Sequence, residues 1–346
     1  VLVYLLIMLG LALARCAHAI TLPQPEVAFG FFYSPGRCQF PNERLYLQDM
    51  AAHGCNTIAP QARNLPGDTA TYTAAQNIAR QLNTAAEVGL LDTRFPIVCY
   101  SVGPEDVVAT LALRKPALTW PELIVQSIDE PNQTQERYLK EYQEAAHKAG
   151  LRIGTAVAGY ACTGYKQQLP WCKPEDEGKP VPGIGQYLDL WIVLVGTLTT
   201  DVQDAAKRQG AEVGGYLAYP ASPLLDRWTF GLWAWKAKTR TNLLWAYVDK
   251  TPAGDYSRVV ETPTGPQQRE GGAGYAEGIM DYRVLQAVRD LHTNRGDQFL
   301  ARVDALTPLG WWPRGYVKDN QADERPTMDM DRVRRQGLRL LEVSHG

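Results

Sequence analysis

Residues Val125-Gln-Ser-Ile-Asp129-Glu130-Pro131-Asn132 carry an apolar run into two adjacent carboxylates and a proline. A strand interior rarely holds two charges side by side, because an unpaired buried charge is costly to desolvate. The pair therefore belongs at a strand exit. Two carboxylates there can divide acid–base work. One gives a proton to a leaving oxygen while the other stays ionised and stabilises charge. The plainer role is to cap the following helix, whose N-terminus favours anions. One acid suffices for a cap, so the doubling favours chemistry.

A second set of candidates is polar and aromatic. Tyr33 and Arg37 follow the first apolar run and Gln61 ends the second, positions from which each could meet a substrate hydroxyl. Tyr219 ends the run Gly214-Gly-Tyr-Leu-Ala-Tyr219, which carries no acid. It either contacts substrate or packs on Pro220. Trp245 and Tyr247 alternate with Ala246, so in a strand they share a face. Trp233 and Trp235 fall in a helical pattern and read as core. With 9 Trp and 17 Tyr, the chain has aromatic surface enough for a core or for a groove that stacks on sugar C–H faces. The loop Lys173-Pro-Glu-Asp-Glu177 could supply a further acid, or be solvated charge.

The elements that must position these residues alternate regularly. Strand-like runs at 28–33, 56–60, 96–102, 122–128, 151–157, 190–195, 213–219 and 242–248 are separated by helical patterns. Those patterns lie at 42–54, 71–91, 104–115, 132–150, 185–188, 200–209, 224–238 and 277–292. Asn132 reads as the cap of the fourth helix and Gly150 as its stop. Asp201 and Asp204 read as the start of a helix, and Asp281 as a structural contact on the last one. Eight β/α units in about 270 residues match a closed (β/α)8 barrel. No G-x-G-x-x-G follows the first strand, which argues against an open dinucleotide-binding sheet. The expectation is a single-domain α/β fold, a (β/α)8 TIM barrel over 20–300, with 301–346 an extension that packs on it or is partly disordered.

In such barrels the chemistry sits at the C-terminal ends of the strands. Asp129 and Glu130 then end strand four, with successive side chains on opposite sides. Glycosidases commonly place two carboxylates across the scissile bond. Strand seven has no acid to act as the second. One solution is a sugar whose own 2-acetamido oxygen attacks, with one of the two acids protonating the leaving oxygen, its neighbour on the acetamido N–H and Tyr219 on the acetamido oxygen. A loop-borne acid in a two-carboxylate mechanism is the alternative, and a barrel that only binds saccharide is a third.

Composition narrows the remaining classes. The 346 residues carry a net charge of −2, which leaves no electrostatic footprint for nucleic acid or a membrane surface. Hydrophobic residues at 45% allow a full core. The N-terminal run ending Ala17-His18-Ala19 reads as a signal peptide over 1–19, so a secreted or periplasmic protein without stable membrane insertion is expected. Of the remaining cysteines, Cys162 and Cys172 flank one loop and are the best disulfide pair, whereas Cys55 and Cys99 lie in apolar text as inert core. No metal-ligand spacing occurs, and the chemistry needs only protons and water, so no metal or cofactor is expected. The expected partner is a glycan.

Three stretches together resemble glycoside hydrolase family 123. They are Asp129-Glu130-Pro131, the Trp-rich Thr229-Phe-Gly-Leu-Trp-Ala-Trp-Lys236 leading into Thr241-Asn-Leu-Leu-Trp-Ala-Tyr247, and Glu277-Gly-Ile-Met-Asp-Tyr282. The resemblance spans roughly 28–295 in the order of its motifs. It implies a substrate-assisted β-N-acetylgalactosaminidase, with Glu130 as general acid/base and Asp129 orienting the acetamido group. The sequence departs from the family before the last motif, where Arg269-Glu270-Gly-Gly-Ala-Gly-Tyr-Ala276 stands.

Overall fold

The computed structural model describes residues 20–38, 42–64, 72–126, 128–131, 135–157, 185–218, 222–251, 254–269, 274–310 and 329–344. Residues 1–19, Asn132, Cys162, Cys172, the 173–177 acids and Tyr219, each the subject of an expectation above, lie outside these residues.

Eight parallel strands form the centre: β1 Ala28–Tyr33, β2 Thr57–Pro60, β3 Ile97–Tyr100, β4 Leu123–Gln126, β5 Arg152–Val157, β6 Leu190–Leu194, β7 Glu212–Ala218 and β8 Thr241–Trp245. Their order in the sheet is β2-β1-β8-β7-β6-β5-β4-β3. A single parallel bridge between Gln61 and Tyr100 joins the two ends, so the sheet closes into a (β/α)8 barrel. Helices follow the strands: α1 Glu43–Ala52, α2 Ala74–Glu87, α3 Pro104–Ala112, α4 Glu136–Lys148 and α5 Thr200–Arg208. A sixth begins as Pro223–Trp228, passes through a π-helical turn at Thr229–Trp233 and ends as Ala234–Ala237.

Both faces of each strand are buried, which is why the strands read as nearly continuous apolar runs. Period two divides their side chains between two cores. In β1, Phe29, Phe31 and Tyr33 face the helices, while Phe32 points into the barrel with Ala59, Ile124, Ile192 and Leu243. Gly30 also faces inward, where a Cβ would stand 2.1 Å from the Thr57 carbonyl oxygen. Only glycine lets β1 and β2 approach this closely. Gly215 plays the outer counterpart: an added Cβ would meet the Trp233 ring at 2.5 Å. Trp233 and Trp235 are core residues, as their pattern indicates. Cys55 and Cys99 are buried too, and burial pushes the Cys99 thiol up to about 12.

Helix starts follow capping chemistry. Thr73 and Gln76 form a reciprocal capping box on α2, and Thr199 caps α5 with Asp201 in its first turn. The described part of α4 begins at Glu136 behind Gln135, which makes no side-chain cap, and the expected Asn132 cap lies outside the described residues.

After β8 the chain makes two small hairpins, β9 Lys250–Thr251 with β10 Gly254–Asp255, and β11 Val259–Thr262 with β12 Gly265–Gln268. Helices α7 Gly274–Asp290, α8 Asn294–Leu306 and α9 Met330–Ser344 complete the described chain, and residue 300 falls within α8. Asp281 on α7 is a structural contact, as expected despite its motif. Its buried carboxylate accepts from Arg227 Nε at 2.7 Å and from Arg334 Nε of α9 at 2.5 Å. Among the described residues no helix is long and apolar enough to cross a membrane.

Candidate active site

A cavity of about 340 Å³ opens at the C-terminal ends of the strands. Its walls are aromatic: Phe32, Tyr100, Tyr216 and Trp245 line it, and Phe32 packs against the other three at ring-centroid distances of 5.4, 6.4 and 5.7 Å. Its polar groups are Asp129, Glu130, Asp249 and Arg37, with Tyr256 at the rim.

Strand β4 ends at Gln126, three residues before the acid pair. Asp129 and Glu130 therefore lie on a bend beyond the strand, and strand alternation does not govern them. Both carboxylates line the same cavity, correcting the expectation of opposite sides. Glu130 has φ +45°, a left-handed conformation that costs a non-glycine residue about 1–2 kcal/mol. Neighbouring β5 holds the bend in place: the Glu130 N–H donates to the Ala156 carbonyl at 3.0 Å, and Thr155 Oγ1 donates to the Ile128 carbonyl. Strained backbone of this kind persists where surrounding contacts over-determine it, commonly at functional sites.

The two acids have different partners. Asp129 accepts from Tyr100 Oη at 2.6 Å and from Gln126 Nε2 at 3.1 Å. Glu130 accepts from Tyr216 Oη at 2.5 Å. Burial raises the pKa of both. For Asp129 that rise is opposed by Tyr100, Gln126 and the Glu130 N–H. For Glu130, among the described residues, it is opposed by Tyr216 alone and is reinforced by the charge of Asp129. Donors to a carboxylate favour its charged form. Asp129 is thus the better equipped of the two to stay ionised, and Glu130 to hold a proton.

Across the mouth, Asp249 is 2% exposed. Its Oδ2 accepts from Trp245 Nε1 at 2.9 Å, and Arg37 Nη1 stands 3.4 Å from its Oδ1. The hairpin insertion is held against the barrel here by a buried ion pair. Arg258 donates to both oxygens of Asp226 at 2.9 and 2.8 Å and to the Trp245 carbonyl at 3.0 Å.

The structure brings together four of the residues selected from sequence: Asp129, Glu130, Arg37 and Trp245. Three others lie elsewhere. Tyr33 faces the helix layer, because Phe32 takes the inward place next to it. Tyr247 does the same: strand pairing stops at Trp245, so the alternation that would have put the two on one face ends there. Its hydroxyl donates to Asp49 of α1 at 2.5 Å. Gln61 is buried at the barrel seam, clasped through its backbone by Gln81, and does not line the cavity. Sequence reading missed Phe32, Tyr100, Gln126 and Asp249 as site residues. For the first three a signal existed, since each sits near the inward end of its strand, and Tyr100 pairs in register with Gln126. Asp249 follows β8 in an insertion that has no periodicity to read.

Among the described residues no group of three or more His, Cys, Asp or Glu side chains could hold a metal ion.

No protein-family profile matches the chain, and no curated protein does. Solved structures with a similar arrangement include a putative alpha-L-fucosidase from Bacteroides thetaiotaomicron, at 12% identity and a TM-score of 0.43, covering 69% of this chain and 91% of that one. A Bacteroidetes-affiliated GH5 cellulase linked with a polysaccharide utilization locus has 13% identity and a TM-score of 0.43, covering 82% and 96%. The N-terminal domain of a putative aldolase from Bacteroides vulgatus has 12% identity and a TM-score of 0.38, covering 81% and 85%. Nothing about chemistry follows from likenesses this distant.

Proposed function

We propose that the chain is an exported glycoside hydrolase that cleaves a β-linked N-acetylhexosaminide with help from the substrate's own acetamido group, as the resemblance to family 123 implies. One observation carries the reading: two adjacent carboxylates in one aromatic cavity have unequal sets of donors. Glu130, with its proton favoured, gives it to the glycosidic oxygen as the bond from C1 breaks. The acetamido carbonyl oxygen forms a bond to C1 as that bond breaks. Asp129, in its ionised form, accepts the acetamido N–H and balances the positive charge that develops. Glu130, now a carboxylate, takes a proton from the water that opens the cyclic intermediate, and C1 keeps its configuration. The aromatic walls suit the C–H faces of a pyranose.

A second reading has one observation in its favour. Asp249 is a third carboxylate in the cavity, so a conventional two-acid mechanism has a possible partner for Glu130. Matched aryl β-glycosides separate the two. The proposal expects turnover of the N-acetylgalactosaminide or N-acetylglucosaminide and none of the 2-hydroxy galactoside or glucoside. Turnover of the hydroxy sugars would transfer the assignment to the second reading. Glu130→Gln should lower kcat about 10³-fold and Asp129→Asn about 10²-fold, within the range of positioned acid–base groups. Full activity in Glu130→Gln would end both readings.

A further inference from the structure

We infer that Arg37 and Asp249 form a clamp that reads the 4-hydroxyl of the sugar, and so set selectivity among its C4 variants. The inference rests on the hydrolytic reading of Asp129 and Glu130. Its starting point is a deficit. Asp249 is 2% exposed and lines the cavity, yet among the described residues its Oδ1 has no hydrogen-bond donor. Arg37 Nη1 lies 3.4 Å away as an ion pair, and the Arg37 side chain remains 38% exposed. A buried carboxylate oxygen without a donor is costly unless something supplies one. An incoming hydroxyl can. It would donate to Asp249 Oδ1 and accept from the guanidinium, whose fork presents several N–H donors.

Barrel topology names the hydroxyl. In a ring of eight strands, β4 and β8 are diametrically opposite, since four steps separate them in either direction. Asp129 and Glu130 follow β4. Asp249 follows β8, and Arg37 follows β1, the neighbour of β8. In a pyranose, C4 stands across the ring from C1. A sugar with C1 at Glu130 and its 2-acetamido group at Asp129 directs C4 toward Asp249 and Arg37. Trp245 lies between, with its indole N–H holding Asp249 Oδ2 and its ring 5.9 Å from Tyr100, the partner of Asp129. A site built to hydrogen-bond a hydroxyl discriminates strongly against the analogue that lacks it.

The test is titration calorimetry with free N-acetylgalactosamine, N-acetylglucosamine and 4-deoxy-N-acetylglucosamine. It uses the wild-type chain, Asp249→Asn and Arg37→Met, each first checked for wild-type circular dichroism. The wild type should bind the preferred C4 epimer at least about tenfold more tightly than the 4-deoxy sugar. In both variants this ratio should fall to within about threefold. Arg37 is partly exposed, so its variant keeps the test valid if Asp249→Asn fails to fold. An unchanged ratio in the variants, no penalty for the 4-deoxy sugar in the wild type, or no binding of any of the three would overturn the clamp. So would an Asp249→Asn protein that binds like wild type but has lost turnover, the result expected of a second catalytic acid. The hydrolytic reading is judged separately by turnover. A silent wild type with the 4-hydroxyl preference intact would leave the clamp and remove the chemistry.

Discussion

Tyr216 and Glu130 make the most direct prediction about charge. The Tyr216 hydroxyl donates to the carboxylate and so lowers the Glu130 pKa against the rise caused by burial. In Tyr216→Phe that opposition disappears and the pKa climbs. The reaction needs Glu130 protonated, so the alkaline limb of the kcat/KM profile should move to higher pH, while the acid limb, set by Asp129, stays near its place. A profile with an unmoved alkaline limb would show that Glu130 is not the acid. Glu130 also has a stability consequence. Its pKa is raised in the folded state, so its favourable contribution is present below the unfolded value, about 4.3 for Glu, and is lost as pH rises through the folded value. At neutral pH the ionised side chain is therefore a cost. Glu130→Gln should have a higher Tm than wild type at pH 7, with the gap closing below about pH 4. A calorimetric scan at the two pH values checks this. Asp129 and Glu130 were legible in sequence because two adjacent charges after an apolar run are costly wherever they are not used. Their common orientation was not legible, because it depends on a bend and a left-handed φ that no residue type at 128–131 announces.

Elements decide how far the site is held open. The insertion after β8 carries Asp249 and Tyr256 and is tied to the barrel by Arg258, whose side chain is 2% exposed, and Asp226, at 3%. Removing one partner of a buried pair leaves the other charge uncompensated, at a cost of about 3–5 kcal/mol. Arg258→Met should lose stability of that order in urea unfolding. It should also lose activity, since the same guanidinium fixes the Trp245 carbonyl. A loss below about 1 kcal/mol would mean that the hairpins, rather than the ion pair, hold the insertion. Strands and helices themselves were read well. Short apolar runs marked β1 and β5 to the residue or nearly so, and helical spacing marked α2 and the long Trp-rich helix at 223–237. The insertion was missed because its strands are two to four residues long, too short for periodicity to register.

For the whole molecule, the closing seam is the weak joint. Seven of the eight strand-to-strand joints are parallel ladders, but among the described residues β2 and β3 are joined by a lone Gln61–Tyr100 bridge. Opening free energies vary across a structure, and segments with few paired backbone groups open first. Native-state hydrogen exchange should find lower opening energies in β2 and β3 than in β6 and β7. Uniform protection round the barrel would refute this. The seam matters for function because Tyr100, which holds Asp129, is one half of the bridge.

Local physics is what a chain declares about itself. Apolar period, caps and glycines follow from each residue's own sterics and solvation, so eight β/α units, the barrel and the placing of the acid pair after the fourth strand could all be read directly. Which side chains meet across the mouth is a property of closure. Arg37 and Asp249 are more than two hundred residues apart in sequence, and Tyr216 reaches Glu130 from three strands away. Nothing in the spacing of such residues encodes a contact. Only the folded barrel, by bringing β1 beside β8 and setting β8 opposite β4, decides it.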